Sequence, residues 1–256
     1  MGSPGAWRRA GRVLLAMART LLVLALLPAI PLLAVPLPGQ ARAVRLYCRV
    51  ALRGMGVRIV KSGGPIRNVP GLLVVSPHIS WVDALVINAL ISGNFVAKAE
   101  LTRWPGLNVL ARLMNIIPID RARLRRLPEV VGTVAARLRA GHTVVAFPEG
   151  TTWCGLACGP FRPAIFQAAV DAARPVQPLR LSYHHRDGRP STAPAFVGDD
   201  TLVSSFLRIA SARVTVARVH VEALQLPGDH RRELARRCQE AVWGGPAARP
   251  QHSLVA

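Results

Sequence analysis

The chain has 256 residues, is 51% hydrophobic and carries a formal net charge of +20. Its length suits one large domain, and its charge predicts anionic partners. Nucleic acid is the rival partner, but the composition disfavours it, because aromatic residues make up only 5%, the basic residues are scattered, and no helix-turn-helix, zinc or RNA-recognition motif occurs. Acidic phospholipid headgroups account for the same charge.

The first predicted element is an apolar stretch at residues 20–35, which carries no charge and is interrupted by Pro28 and Pro31. It is short and broken for a transmembrane span. Arginines flank it on both sides: Arg8, Arg9, Arg12, Arg19, Arg42, Arg45, Arg49 and Arg53. We therefore predict that residues 1–55 form two antiparallel helices that dip into one leaflet and anchor the protein to an anionic membrane surface. A cleaved signal peptide is the alternative, since residues 41–43 show a cleavage-like spacing of small residues.

Beyond this segment, residues 56–245 alternate between strand-like and helix-like patterns. That alternation predicts an α/β domain with a mixed, largely parallel sheet flanked by helices. Pro128 in a first-turn position and Gly141 at the end delimit one core helix, and a second helix is predicted to begin at Phe161. Residues 246–256 are expected to form a disordered tail.

The pair His78 and Asp83 follows an apolar run at residues 71–75. That run is predicted to be a buried strand, and strand ends are where α/β sheets present their chemistry. On one helix, side chains five positions apart diverge by roughly 140°. They meet if His78 lies in the turn and Asp83 in the first helical turn, where the carboxylate accepts Nδ1–H and leaves Nε2 free to take a proton. A loop histidine beside a helix-starting aspartate is the alternative.

A second apolar run, residues 143–147, leads into Pro148-Glu149-Gly150-Thr151. An acidic side chain and a glycine thus stand where the chain leaves a predicted strand and must turn sharply. Two strand ends therefore carry polar groups that could converge.

Later segments are interpreted structurally. The segment Asp199-Asp200-Thr201, which precedes an apolar pair, is predicted to be a helix N-cap rather than a metal site. Residues 213–221 alternate as a half-exposed strand with His220 on its face. The four cysteines have no accompanying histidine cluster, so unpaired thiols in a reducing cytoplasm are expected over a structural disulfide.

Two further motif blocks complete the pattern. The first comprises Lys98-Ala99-Glu100, Trp104-Pro105-Gly106 and Ile117-Pro118-Ile119-Asp120-Arg121, and the second is Val176-Gln177-Pro178-Leu179. Together with the His78 and Glu149 motifs, they resemble the glycerolipid acyltransferase family, whose best-known members acylate 1-acylglycerol-3-phosphate. The resemblance covers roughly residues 70–185, and four motifs in order are far more specific than any one of them.

This resemblance implies an O-acyltransferase that moves a fatty acyl group from acyl-CoA or acyl carrier protein to the free hydroxyl of 1-acylglycerol-3-phosphate, in phosphatidic acid and phospholipid synthesis. It also implies the two-helix anchor, which we expect at the cytoplasmic face of the cell membrane. No Gly-x-Ser-x-Gly elbow occurs, so His78 is predicted to act as a general base in direct attack, without an acyl-enzyme. Asp83 would stabilise the imidazolium. Oxyanion donors are expected among backbone N–H groups near the following helix or around Gly150.

The predicted substrate-binding residues are Lys98, Arg121, Glu149, Gly150, Thr151 and Arg162. Glu149 is expected either to accept a hydrogen bond from the acceptor hydroxyl or to tie its own loop to nearby amides. No bound cofactor or metal is expected.

One position departs from the family. In most relatives, Glu-Gly-Thr is followed by an arginine that would bind the substrate phosphate, whereas this chain has Thr152. A neutral hydroxyl cannot replace a guanidinium fork. Either Lys98, Arg121 or Arg162 takes the phosphate, or the acceptor is glycerol-3-phosphate, another lysophospholipid or an aminolipid. An alternative of another class is a non-catalytic, basic membrane- or nucleic-acid-binding protein.

Overall fold

The computed structural model describes residues 4–33, 35, 37–67, 69–99, 109, 111, 113–120 and 124–244. Its helices are α1 (Pro4–Leu26), α2 (Ala29–Leu33), α3 (Gln40–Gly54), α4 (Val82–Leu90), α5 (Leu127–Arg139), α6 (Phe166–Asp171), α7 (Leu202–Ser211) and α8 (Arg231–Trp243). A 3-10 turn, Leu124–Arg126, leads into α5. The strands are β1 (Val57–Gly63), β2 (Leu73–Val75), β3 (Asn94–Lys98), β4 (Ile117–Ile119), β5 (Val144–Ala146), β6 (Val176–His185) and β7 (Thr215–Val221).

The described strands form one sheet in the order β1-β7-β6-β2-β5-β3-β4. Neighbouring strands run parallel except β6 and β7, which pair antiparallel. The central strands β2 and β5 are short, valine-rich and buried at every position, as is typical of a parallel sheet covered on both faces. The predicted mixed, largely parallel α/β sheet is therefore confirmed.

Helices cover the sheet on both faces. Because successive strand residues face opposite ways, Val74 joins one core cluster while Leu73 and Val75 join the other. The first cluster contains residues of α3, α4 and α7, and the second contains residues of α5, α6 and α8. Burying apolar area on both faces is the main stabilising term of such a fold.

The N-terminal helices α1 and α3 pack antiparallel. Leu22 of α1 contacts Gly54 near the end of α3, and the Tyr47 hydroxyl donates to the Leu26 carbonyl at 3.3 Å. α3 also belongs to the main core, because its Cys48 and Leu52 are only 2% and 1% exposed. Within the described ranges, no helix is both long and apolar enough to cross a membrane.

Two element boundaries differ from the prediction. The helix predicted to begin at Phe161 begins at Phe166 instead. Pro163 disfavours helical geometry at Arg162, whose N–H donates to the Pro148 carbonyl, so the preceding segment stays irregular. The helix after Pro128 and the alternating strand near residues 213–221 are confirmed as α5 and β7. The predicted tail, 246–256, lies outside the described residues.

Candidate active site

The turn between β2 and α4 brings His78 and Asp83 together. Since β2 ends at Val75 and α4 begins at Val82, His78 lies in the turn and Asp83 in the first helical turn. His78 Nδ1 is 2.9 Å from Asp83 Oδ2. The Asp83 side chain is fully buried, whereas 18% of the His78 side chain is exposed. A buried carboxylate thus holds an imidazole that reaches solvent.

Four donors surround the Asp83 carboxylate. Besides His78, Oδ2 accepts the N–H groups of Ile79 and Ser80 at 2.7 and 2.8 Å. Oδ1 accepts the hydroxyl of Tyr183 at 2.7 Å. Because an ionised carboxylate only accepts, the His78 proton lies on Nδ1 and Nε2 presents its lone pair. Within the part of the chain that is described, no group hydrogen-bonds to Nε2.

Residues that follow β5, the neighbour of β2 in the sheet, also hold the His78 imidazole. Phe147 directly follows β5, which pairs with β2. Its ring stacks on the His78 ring, with centroids 4.1 Å apart and planes inclined by 13°. From the loop that follows β5, the backbone N–H of Trp153 donates to the His78 carbonyl at 2.8 Å. Both the ring face and the backbone of His78 are therefore held by residues after β5.

Glu149 joins the two loops of the site. Its carboxylate accepts the N–H of His78 at 2.7 Å and the N–H of Gly159 at 3.0 Å. This geometry corresponds to the second predicted alternative, in which Glu149 ties loops to amides. Burial raises its pKa to about 7, opposed by the two amide donors and reinforced by the Asp83 charge.

The amides near the predicted oxyanion positions already have acceptors. Ile79 and Ser80 donate to Asp83, His78 donates to Glu149, and Gly150 donates to the Phe147 carbonyl. The structure thus gives these four groups structural partners. Oxyanion donors were expected among them, and the sequence offered no way to see that they are occupied.

Comparison with known proteins identifies the family. A profile described as Acyltransferase matches residues 58–182. The 1-acyl-sn-glycerol-3-phosphate acyltransferase of Neisseria gonorrhoeae is 31% identical over 182 residues, which cover 71% of each chain. The chain belongs to this acyltransferase family. The family and the O-acyltransferase class predicted from the motifs are confirmed.

Two other similar proteins bear on this acyltransferase. The lyso-ornithine lipid O-acyltransferase of Pseudomonas aeruginosa is 35% identical over 178 residues, covering 67% of this chain and 66% of that protein. The crystal structure of the 1-acyl-sn-glycerophosphate (LPA) acyltransferase PlsC from Thermotoga maritima matches with a TM-score of 0.68, covering 92% of this chain and 94% of that one. At 19% identity, this likeness shows the fold alone.

The predicted substrate-binding residues of the acyltransferase lie in different places. Lys98 is exposed at the C-terminal end of β3. Because β3, β5 and β2 run parallel, Lys98 and His78 both follow strand ends on the same side of the sheet. Thr151 is also exposed. Arg162 lies against the Gly150 turn, with Nε 3.3 Å from where a Cβ on Gly150 would stand. Gly150 has φ +76°, which favours glycine there. Arg121 lies outside the described residues.

Thr152, at the position where the family resemblance predicts an arginine, has a structural partner. Its hydroxyl donates to the Phe196 carbonyl. The Phe196 N–H in turn donates to the Ile79 carbonyl at 2.9 Å, next to the turn that carries His78. Thr152 therefore links the loop after β5 to the segment before α7.

Sequence reasoning missed Tyr183 and Phe147. Tyr183 is separated from Asp83 by 100 positions, and it lies outside the motifs from which the site was predicted. The available signal was the alternation of buried Leu179, Leu181 and Tyr183 along β6. That alternation predicts the buried face but not the hydroxyl's partner.

The remaining polar groups do not form a second centre in the described part of the chain. Cys48, Cys154 and Cys238 form no disulfide, and burial raises the pKa of Cys48 and of Cys238 to about 12. Thr201 caps α7 through a reciprocal capping box with Ser204, as its position predicts. Among the described residues, no cluster of three metal-ligating side chains occurs.

Proposed function

We propose that this acyltransferase moves a fatty acyl group from acyl-CoA or acyl carrier protein to the free hydroxyl of 1-acylglycerol-3-phosphate. The observation that carries the proposal is the pairing of buried Asp83 with His78, which leaves Nε2 without a described partner. The family membership supplies the reaction class, and the curated relatives named 1-acyl-sn-glycerol-3-phosphate acyltransferases favour this acceptor.

The proposed reaction is one direct transfer. His78 Nε2 takes the proton of the acceptor hydroxyl as its oxygen attacks the thioester carbonyl carbon. The tetrahedral intermediate collapses, the carbon–sulfur bond breaks, and the departing thiolate takes the proton back from the imidazolium. Asp83 stabilises that imidazolium while its own charge is held by its other donors.

A second acceptor class has a specific observation in its favour. Thr152 stands where the family resemblance predicts a phosphate-binding arginine, and its hydroxyl donates to the Phe196 carbonyl. Several similar proteins are named lyso-ornithine lipid O-acyltransferases, whose acceptor is an aminolipid. An aminolipid with a free hydroxyl is therefore the alternative acceptor. If the acceptor carries phosphate, Arg162, Lys98 or Arg121 must supply the cation.

A thioester-release assay distinguishes these acceptors. Purified full-length protein is given palmitoyl-CoA or palmitoyl carrier protein with 1-acylglycerol-3-phosphate, glycerol-3-phosphate, a neutral lysophospholipid or lyso-ornithine lipid, and products are identified by mass spectrometry. We expect the fastest acceptor-dependent thiol release with 1-acylglycerol-3-phosphate. Faster release with lyso-ornithine lipid selects the alternative acceptor. No release with any acceptor supports the non-catalytic alternative and overturns the proposal.

We also propose that the protein works on the cytoplasmic face of the cell membrane. Large apolar side chains are exposed along α1, in the segment through α2, and on α3 and α7: Val13, Leu14, Met17, Leu21, Leu22, Leu24, Leu27, Leu32, Val35, Leu37, Leu46, Val50, Leu202, Val203 and Leu207. We call this set the apolar surface. Arg12, Arg42 and Arg53 are exposed on the same helices. Apolar side chains bordered by arginines suit in-plane binding to an anionic leaflet.

A further inference from the structure

Tyr183 contacts the Asp83 side of the His78–Asp83 pair, and it belongs to none of the motifs identified in the sequence. β2 pairs with β6 only through Val176–Pro178, opposite Leu73–Val75, and β6 then continues to His185. This extension runs beside the turn and helix start that follow β2. Tyr183 lies on this extension. It is therefore beside the turn that carries His78, beyond the part of β6 that pairs with β2.

The packing of β6 directs the Tyr183 side chain inward. Leu179, Leu181 and Tyr183 alternate onto one buried face and belong to the same core cluster as Val82 of α4. Opposite Tyr183 on β7 stands Ala217, a small residue that leaves room for the ring. The tyrosine is 4% exposed, so its hydroxyl depends on a protein partner, and that partner is Asp83 Oδ1 at 2.7 Å.

The hydroxyl fills the remaining acceptor of the carboxylate. Asp83 Oδ2 already accepts from His78 and from two amides, while among the described residues Oδ1 accepts only from Tyr183. Burial, and then the Asp83 charge, raise the pKa of Tyr183 well above its ordinary value, so the hydroxyl remains a donor. Holding both oxygens fixes the carboxylate plane with Oδ2 toward Nδ1.

We infer that Tyr183 is a positioning residue for acyl transfer: its hydroxyl orients the Asp83 carboxylate and disperses its charge, and thereby keeps the His78 imidazole in the productive tautomer and basicity. This inference rests on the proposed general-base function of His78. It concerns this chain's own hydroxyl and requires no contact between Tyr183 and substrate. The hydrogen-bond partners of metal-ligating residues typically contribute about 10- to 100-fold to affinity or activity, and we expect a similar contribution from a partner of the Asp83 carboxylate.

Tyr183→Phe removes one oxygen and keeps the ring in the core. We expect kcat to fall roughly 10- to 100-fold with the acceptor KM nearly unchanged. Without the Tyr183 donor, more of the Asp83 negative charge acts on His78 and favours the protonated imidazolium. The His78 imidazole should therefore become more basic, and the acidic limb of the kcat/KM profile should move to higher pH. The control is Tyr47→Phe, which alters the only other tyrosine, whose hydroxyl donates to the Leu26 carbonyl in the N-terminal helices. Its kinetics should match those of the unmodified protein.

A double-variant cycle separates positioning from general damage to the fold. In a His78→Ala background, Tyr183→Phe should leave the residual turnover unchanged, because the tyrosine acts only through the histidine pair. An equal loss in both backgrounds, or an unmoved pH profile, would overturn the inference. Full activity in His78→Ala would overturn the general-base proposal itself. If His78→Ala is inactive while Tyr183→Phe is normal, only the positioning role fails.

Discussion

At the scale of single residues, several groups together hold the imidazole of His78. His78 contacts Asp83 through Nδ1, stacks on Phe147, and is tied through its backbone to Glu149 and Trp153. Three of these four contacts come from residues distant in sequence. The exposed part of the ring is therefore presented in one orientation, which is what proton abstraction from a bound hydroxyl requires.

Replacing the proposed base should abolish most turnover without unfolding the protein. His78→Ala is expected to lower kcat by roughly two to four orders of magnitude. The fold should persist, because Glu149 and Trp153 bind the His78 backbone rather than its ring. Thiol release measures the loss, and circular dichroism with a thermal melt serves as the control for folding. A folded His78→Ala protein with near-normal turnover would contradict the mechanism.

Glu149 should make stability fall as pH rises. Its pKa is raised from 4.5 to about 7 in the folded state, so folding favours the protonated form. Its stabilising contribution is full below pH 4.5 and is lost as pH rises through about 7, by about 3 kcal/mol in total. The unfolding free energy of the unmodified protein, minus that of Glu149→Gln, should therefore decrease across this window.

Denaturant unfolding at several pH values measures that difference. Glu149→Gln should lower stability most at low pH, where the unmodified protein keeps its full contribution, because the amide oxygen cannot hold both backbone N–H groups as the carboxyl group does. Glu129→Gln, with the side chain 74% exposed, is the control and should not alter the pH dependence. A difference between Glu149→Gln and the unmodified protein that does not change with pH would contradict the assignment.

Arg162 is a described cation that lies against the Gly150 turn, so it is a candidate to replace the arginine expected at position 152. If the acceptor carries phosphate, Arg162→Ala should lower kcat/KM for that acceptor by the equivalent of about 1.5–3 kcal/mol, with donor affinity little changed. Arg58→Ala is the control, because Arg58 is exposed on β1 at the far edge of the sheet. Lys98→Ala and Arg121→Ala test the other predicted cations. Unchanged acceptor kinetics in all three would remove the assignment.

At the scale of elements, Arg19 joins α1 to the end of α7. The Arg19 guanidinium donates to the carbonyls of Ala210, Ala212 and Arg213, at and just beyond the end of α7. The sequence had grouped Arg19 with the membrane-flanking arginines. Instead, a cation here satisfies carbonyls that a helix end leaves unpaired.

Removing this cap should destabilise the α1–α7 contact. Arg19→Ala is expected to lower the unfolding free energy by about 1.5–3 kcal/mol, the usual worth of hydrogen bonds to a charged group. Arg12→Ala is the matched control, because Arg12 is exposed on the same helix, and its effect should stay within about 0.5 kcal/mol. Chemical denaturation measures both. Equal stability of the two variants would show that the cap contributes nothing.

At the scale of the whole molecule, the membrane proposal concerns one surface rather than one segment. α1 packs against both α3 and α7, and all three helices carry exposed apolar side chains, whereas the sequence had not connected α7 with the anchor. Removing residues 1–53 is a poor test, since α3 contributes buried Cys48 and Leu52 to the core. Point substitutions on the apolar surface test it without opening the core.

Leu14→Glu combined with Leu21→Glu should greatly weaken binding to anionic phospholipid vesicles. Both side chains are about two thirds exposed, at 65% and 66%, so the charges enter no packed core. They would place two carboxylates against lipid and anionic headgroups. Leu226→Glu, at a leucine 68% exposed outside this surface, is the control. Vesicle sedimentation measures binding, and equal binding by the double variant and the control would contradict the proposal.

The family, the α/β class and the His78–Asp83 turn could be predicted from sequence because each depends on local pattern. Strand burial and a helix start within five residues are encoded by near neighbours. The order of the motifs is read directly along the chain. The partners of those residues required the folded chain: Tyr183 reaches Asp83 across 100 positions, Glu149 reaches His78 across 71, and Arg19 reaches Ala210 across 191. Periodicity predicts which face of an element is buried, but the packing of distant elements decides which polar group meets which.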